Sequence, residues 1–304
     1  MFEPAQTPGG FVIAAFYHFF DFPDFEARQT PLLDRLKALE IKGSLLITRE
    51  GVNSTISGTR AAIDSFLTYL QDEIVGGPIR WKESYAAFQP FGKARVRLKK
   101  ETISLGEPVS MKRFGQYVAP RDWNALISRD DVVIVDTRND YEINLGTFQN
   151  AVDPGIPNFK HLPKWTRDNA DALKNKKIAT FCTGGIRCEK FTSWLIDQGI
   201  DDVYHLQGGI LQYLEDVPQA QSLWQGECFV FDERIALDHH LQPSKTAALC
   251  LYCDHALTAE DQQHAAYVKG KSCPHCRGAK MLAHDEPSKK RPATRKSFPG
   301  RTKF

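Results

Sequence analysis

Three features are missing from this sequence of 304 residues, and each absence excludes a class of protein. No apolar run approaches the roughly 18 residues that a membrane-spanning helix needs, so we expect no transmembrane segment. The N-terminus lacks the basic stretch, apolar stretch and cleavage site of a secretion signal, so we expect a cytoplasmic location. The glycine fingerprint of a dinucleotide-binding loop is also missing, so no nucleotide cofactor is indicated.

The cysteines that are present indicate a reduced protein. There are seven, an odd number, and four of them form two Cys-x-x-Cys pairs. A secreted disulfide framework normally has an even number of cysteines, whereas paired cysteines in a cytoplasmic chain favour metal binding or thiol chemistry. The overall composition, 42% hydrophobic and 25% charged, is that of an ordinary globular protein.

The charge is unevenly distributed along the chain. The net charge is +2, but residues 288–304 contain seven lysines and arginines and no acidic residue. We predict a disordered basic tail that can contact a polyanion; a tail that only promotes solubility is the alternative.

Residues 1–100 show the pattern of a ferredoxin-like α+β domain. A buried-strand run at 11–19 is followed by a helical leucine spacing, two strands joined by a tight turn around Arg49, and a second helix for which Thr59 is the expected N-cap. Further strands are predicted near 79–85 and 94–100. This β-α-β-β-α-β order is the ferredoxin-like split unit.

The last predicted strand of this domain alternates basic and apolar residues. Because successive side chains of a strand point to opposite faces, its cations share one face, namely Lys93, Arg95, Arg97 and Lys99. We predict a ridge that contacts RNA phosphates; a solvated sheet face is the alternative.

A linker is predicted at 101–120, followed by a doubly wound parallel-sheet domain at 121–219. Three apolar strands, 131–138, 177–182 and 202–210, alternate with helical segments, which is typical of a parallel sheet. Reactive loops lie at the carboxyl ends of such strands, so Asp136, Arg138 and the loop after Cys182 should meet at one edge. Asp136 is expected to pair with Arg187, and Glu142 with Arg138, in structural or supporting roles.

The loop that begins at Cys182 combines a thiol, glycines and a cation. It comprises Thr183, Gly184, Gly185, Ile186 and Arg187. Glycines let successive N–H groups point inward, and with the start of a helix they surround the sulfur with positive charge. This environment favours a reactive Cys182 thiolate over a buried structural cysteine. Cys188 is either a packing residue at the start of the helix or a resolving thiol.

Residues 220–287 contain the two Cys-x-x-Cys pairs. Cys250, Cys253, Cys273 and Cys276 have the spacing of a four-cysteine zinc site, for which we expect a structural role. Unmetallated thiols or a labile disulfide are the alternatives.

The strings "DVVIVDTR", "CTGGIRCEK" and "VYHLQGGI" resemble a rhodanese domain, and the whole layout resembles the bacterial rhodanese-domain tRNA uridine(34) hydroxylase family. The resemblance implies an acylphosphatase-like fold for the first domain. It also implies the oxygen-dependent conversion of wobble uridine 34 to 5-hydroxyuridine, with Cys182 as the active-site residue and Arg187 in its loop. The anticodon loop of tRNA is then the partner and molecular oxygen the co-substrate.

Three functions remain open from the sequence. Besides the hydroxylase, the loop is compatible with a sulfurtransferase that carries sulfur as a Cys182 persulfide, and an RNA-binding protein without catalysis is the third alternative. The four residues between Cys182 and Arg187 make this loop one residue shorter than that of related phosphatases, which argues against phosphatase activity.

Overall fold

The computed structural model describes residues 10–231 and 234–276. The chain forms two compact units, one of which ends at Ser104 while the other begins at Leu105. The predicted basic tail, 288–304, lies outside the described residues. Within the described ranges, no helix is long and apolar enough to cross a membrane.

In its described residues the first unit contains five strands and two α-helices. In chain order they are β1 (Phe11–Phe19), α1 (Gln29–Ala38), β2 (Lys42–Thr48), β3 (Gly51–Gly58), α2 (Arg60–Tyr69), β4 (Trp81–Ala86) and β5 (Ala94–Leu98). The strand order in the sheet is β4-β1-β3-β2-β5. The strands β4, β1, β3 and β2 pair antiparallel with one another and, with α1 and α2, form the predicted β-α-β-β-α-β unit. The strand β5 is an additional edge strand that pairs parallel with β2.

Local sequence explains these elements. The Thr59 side chain accepts a hydrogen bond from the Ala62 N–H at 3.3 Å, which confirms it as the N-cap of α2. In β1 the side chains of Val12, Ala14 and Phe16 are buried. The same core cluster contains Leu36 of α1 and Phe66 of α2, so both helices cover the same face of the sheet.

The second unit begins with a parallel α/β sheet. Its first elements are β6 (Gln116–Val118), α3 (Pro120–Ile127), β7 (Val132–Asp136), α4 (Asp140–Ile143), β8 (Gly146–Phe148), α5 (Leu162–Asp168), α6 (Ala170–Leu173), β9 (Lys177–Phe181), α7 (Ile186–Asp197), β10 (Val203–Leu206) and α8 (Gly209–Asp216). The sheet order is β6-β10-β9-β7, and all neighbouring strands are parallel, as predicted. The stretch 101–120, for which we expected a linker, contributes the edge strand β6 to this sheet.

The rest of the second unit consists of short elements. They are β11 (Trp224–Gly226), β12 (Cys228–Phe229), β13 (Ala236–Leu237), β14 (Ala248–Leu249), β15 (Ala256–Leu257) and α9 (Ala259–Gln263). β11 pairs with β8, whereas β12 with β13 and β14 with β15 form two small ribbons. The two-strand ribbons are too short to be stable alone, so side-chain clusters must hold this region together. One of these clusters contains Cys250, Cys273 and Cys276.

Candidate active site

Cys182 occupies the turn between β9 and α7. It directly follows the last residue of β9, and α7 begins at Ile186, two residues before the predicted start. Gly185 has a φ of 102°, a conformation that glycine adopts without strain, and its N–H points back to the Cys182 Sγ at 3.1 Å. The cysteine is 1% exposed. The predicted arrangement of strand, cysteine, glycine turn and helix is therefore present.

The surroundings of Cys182 stabilise its thiolate. Burial by itself opposes ionisation, but hydrogen bonding from the Cys188 thiol, the positive charge of Arg187 and the backbone N–H groups of Cys188 and Gly185 outweigh it. Together they lower the pKa of Cys182 to about 5, against a usual value near 8.5. Cys182 is thus a thiolate at neutral pH.

Cys188 serves as a hydrogen-bond donor to that thiolate. Burial and the neighbouring Cys182 sulfur raise the pKa of Cys188, so it retains its proton. The Thr137 hydroxyl lies 3.5 Å from the Cys188 Sγ and donates its own proton to the Phe181 carbonyl at 2.9 Å. The Cys188 S–H donates to the ionised Cys182 sulfur, and the charge on this acceptor strengthens the hydrogen bond.

Arg187 is held by Glu142 and not by Asp136, so the expected pairing was wrong. Two hydrogen bonds of 2.6 and 2.8 Å join the guanidinium to both carboxylate oxygens. Glu142 is buried; burial alone would raise its pKa, but Arg187 lowers it below the usual value. Thr183 donates to the same carboxylate at 3.5 Å. Glu142 thus fixes the cation that faces Cys182.

Asp136 pairs instead with Arg138. Asp136 is the last residue of β7, and Arg138 follows two residues later in an extended stretch. Their side chains therefore point to the same side and can meet. The Arg138 Nε and Nη2 lie 2.9 and 2.7 Å from the Asp136 carboxylate, and Arg138 also donates to the Gly146 carbonyl at 2.5 Å. Both side chains are buried. This second ion pair holds the turn after β7 and leaves Glu142 free to bind Arg187.

The N-terminus of α8 packs against the Cys182 loop. The Ile210 N–H donates to the Cys182 carbonyl at 2.9 Å, and the Leu211 N–H to the Thr183 carbonyl at 3.2 Å. A Cβ on Gly209 would lie 2.5 Å from the Cys182 carbonyl oxygen, so only glycine fits at this position. The sequence "LQGGI" is therefore part of the site because it allows this close approach.

The outer rim of the loop faces solvent. Gly184 is exposed, and Thr183 and Ile186 are partly exposed. A Cβ on Gly184 would meet no atom within 4 Å, so packing does not require glycine there.

The four cysteines of the two Cys-x-x-Cys pairs come together as predicted. Their sulfur atoms all lie within 4.8 Å of one another, and they are the one such group of three or more metal-ligating side chains in the described part of the chain. A tetrahedral zinc ion with bonds of about 2.3 Å places its sulfur ligands about 3.8 Å apart. The sulfur–sulfur distances of 3.7 Å for Cys253–Cys273 and for Cys273–Cys276 match that geometry and exceed the length of a disulfide bond. The residues fit structural zinc.

Helix α4 connects this cysteine group with the Cys182 loop. Glu142 on α4 binds Arg187, while the neighbouring Tyr141 ring packs edge-on against His255 at a centroid distance of 6.1 Å. Asn144, just after α4, donates to Asp261 at 3.0 Å. The position of Glu142 therefore depends on the cysteine-rich region as well as on its own helix.

We expect the purified protein to contain about one zinc ion per chain, and the variant Cys273→Ser to lose it. Four sulfurs would hold the ion, and removing one would leave an incomplete site. Elemental analysis measures the metal content, and thermal unfolding measures the stability that the ion contributes. Cys228→Ser is the matched control, because Cys228 is a buried cysteine outside the group. Equal zinc content in the Cys273 variant and the control would contradict the prediction that these four cysteines form a zinc site.

The predicted RNA ridge lies on β5 and its flanks in the first unit. Its four cations, Lys93, Arg95, Arg97 and Lys99, are all exposed. The expected apolar face is present only in part, because Val96 is buried whereas Leu98, at the end of the strand, is 39% exposed.

Comparison with known proteins gives matches over most of the chain. A family model for the UPF0176 acylphosphatase like domain matches residues 11–102, and a model for the rhodanese-like domain matches 119–216. A tRNA uridine(34) hydroxylase from Picosynechococcus is 47% identical over 268 residues, which cover 88% of this chain and 90% of that protein. A tRNA uridine(34) hydroxylase from Jannaschia is 49% identical over 267 residues, which cover 88% of each chain.

Proposed function

The chain belongs to the family of tRNA uridine(34) hydroxylases, and we propose that its Cys182 loop is where wobble uridine 34 is oxidised to 5-hydroxyuridine. The chain is therefore an oxidoreductase of tRNA modification, as the resemblance implied. The observation that carries the proposal for the site is a buried thiolate, held by the Gly185 N–H and the Cys188 thiol and faced by a fixed Arg187. In our proposal molecular oxygen is the co-substrate and the anticodon loop of tRNA the binding partner.

The residues in and around the loop divide into those that act on the sulfur and those that position them. Cys182 supplies the sulfur that acts on the substrate or on oxygen. Arg187 and the N–H groups at the start of α7 stabilise negative charge on that sulfur, because fixed dipoles and cations act strongly in a buried site. Glu142 and the Asp136–Arg138 pair are positioning residues, since they hold Arg187 and the turn after β7.

The same cradle also suits a persulfide on Cys182, so the sulfurtransferase alternative has to be tested directly. Mass spectrometry of tRNA nucleosides from a strain lacking this gene distinguishes the two functions. We expect 5-hydroxyuridine to disappear and to return when the wild-type gene is supplied, while thiolated nucleosides stay unchanged. Loss of a thiolated nucleoside with normal 5-hydroxyuridine would overturn the hydroxylase and support sulfur transfer.

Replacing Cys188 separates hydrogen bonding from packing. We expect Cys188→Ala to raise the pKa of Cys182, because the thiolate loses a donor, whereas Cys188→Ser retains a donor and stays nearer the wild-type value. The ultraviolet absorbance of the thiolate, titrated against pH as the difference from a Cys182→Ser background, measures this pKa. Identical titrations for the Ala and Ser variants would show that Cys188 acts only by packing.

A further inference from the structure

Among the described residues, no helix covers one of the two faces of the sheet in the first unit. Both helices pack on the side of Val12, Ala14 and Phe16, so the alternate residues of each strand point to the opposite side. Ala15, in the central part of β1, points there and is exposed. We call this side the open face.

A continuous row of residues crosses the open face from one edge strand to the other. Residues directly opposite each other in paired strands share a face, and here the register links Lys82, Ala15, Thr55, Ser44 and Arg95. The row thus has a cation at each end, and its centre consists of small side chains, two of which carry hydroxyl groups. Four strand spacings of about 4.8 Å make it roughly 19 Å long, enough for several nucleotides.

The next row has the same character. It runs through Tyr17, Asn53, Leu46 and Arg97, with Arg97 exposed and the others partly exposed. Among the strand residues that point to this side none is acidic, whereas four are basic: Lys42, Lys82, Arg95 and Arg97. The larger apolar side chains on this side are Phe11, Ile13, Phe19 and Leu46; Ile13 is buried and the other three are only partly exposed, so these strands present no broad exposed hydrophobic centre like that of a stable protein interface.

We propose that the open face binds RNA, with unpaired nucleotides of the tRNA laid across β1, β3 and β2 between the cationic edges. Lysine and arginine neutralise phosphates, the hydroxyl and amide side chains offer hydrogen bonds to phosphate and ribose, and Tyr17 offers a ring for stacking. The choice of tRNA rests on the proposed function. The ridge predicted from the sequence is then only one border of a surface that extends to Lys82 on the opposite edge.

A single added charge tests the centre of the face. Ala15→Glu places a carboxylate in the middle of the row without removing any cation. Ala38→Glu is the matched control, because Ala38 is also exposed but lies on α1. With the full-length protein and an unmodified tRNA transcript bearing uridine 34, we expect Ala15→Glu to weaken binding at least about tenfold and the control to leave it unchanged. Thermal unfolding of both variants verifies that they are folded.

A second pair of variants tests the phosphate contacts. Arg95→Gln/Arg97→Gln removes two charges from the open face, and Arg28→Gln/Lys37→Gln removes two from the helix side. Each phosphate neutralised contributes about 0.7 to 0.9 to the slope of log affinity against log salt. We therefore expect the first double variant to lower that slope by about 1.5, and the second to leave it near the wild-type value.

Several outcomes would overturn the proposal that the open face binds RNA. They are equal tRNA affinity of Ala15→Glu and Ala38→Glu, equal salt slopes for the two double variants, and no measurable tRNA binding by the wild type. A change of oligomeric state in Ala15→Glu, with unchanged affinity for tRNA, would identify the face as a contact between copies of this chain. Failure of the proposed function is distinguishable, because 5-hydroxyuridine would then stay normal in the strain lacking the gene, while tRNA binding by the wild-type protein would still depend on the open face.

Discussion

The variant Cys182→Ser is expected to abolish formation of 5-hydroxyuridine, by about 10³-fold or more, while the protein remains folded and binds tRNA. Removal of the group on which chemistry depends typically costs an enzyme this much or more. Serine is nearly isosteric with cysteine, and the Gly185 N–H can still bond to it, so the loop should persist. A serine hydroxyl is not ionised at neutral pH, and the anionic sulfur is therefore lost.

Nucleoside mass spectrometry in the deletion strain measures this effect, with tRNA binding by the purified variant as the second readout. Cys228→Ser is the control, since Cys228 is equally buried but has its pKa raised by burial, to about 12, and so carries no thiolate. Normal 5-hydroxyuridine in the Cys182 variant would contradict a role for its sulfur. If the Cys182 variant lost both tRNA binding and the formation of 5-hydroxyuridine, the cause would instead be a structural defect.

The Cys182 loop could be predicted from the sequence because its information is local. Strand, cysteine, glycine turn and helix follow one another within ten residues, and each has a sequence signal of its own. The four-cysteine group could be predicted for a similar reason, because paired ligand spacing reflects the geometry of a knuckle around one ion.

The partner of Arg187 could not be predicted in this way. Glu142 lies 45 residues before Arg187, and several carboxylates were equally plausible from the sequence. The choice depends on how β7 ends, because Asp136 is taken by Arg138 through their shared strand face. Asn139 then begins α4 with a capping box in which Glu142 also accepts from the Asn139 N–H at 3.1 Å. A recognisable capping pattern, Asn-x-x-Glu, was the available signal for Glu142, but it indicates only a helix start.

The edges of both sheets were also only partly predictable. Strands are predicted at both 79–85 and 94–100, but the sequence does not say which of them completes the β-α-β-β-α-β unit; in the structure β4 completes it and β5 is a fifth strand beside β2. β6 has three residues, and such short edge strands lack enough alternating positions to be recognised. Pairing across the sheet, and not local preference, determines these strands.

The buried ion pair between Glu142 and Arg187 is expected to be costly to break. We expect Glu142→Gln to lower the free energy of unfolding by about 3–5 kcal/mol, because the buried guanidinium loses its counter-charge. Glu107→Gln is the matched control: Glu107 also binds an arginine, Arg167, through two hydrogen bonds, but at the surface, where such a pair is worth about 0–1 kcal/mol.

Denaturant unfolding of both variants measures the difference, and the double variant Glu142→Gln/Arg187→Gln identifies its cause. If the unpaired charge is responsible, the double variant should be destabilised by less than the sum of its two single variants. The pH dependence gives a further check. The pKa of Glu142 is lower in the folded protein than in the unfolded chain, so its contribution is complete above the unfolded value and is lost as the pH falls towards the folded one. If Glu142→Gln and Glu107→Gln lowered the free energy of unfolding equally, burial would not make the Glu142–Arg187 pair more stabilising than a surface pair.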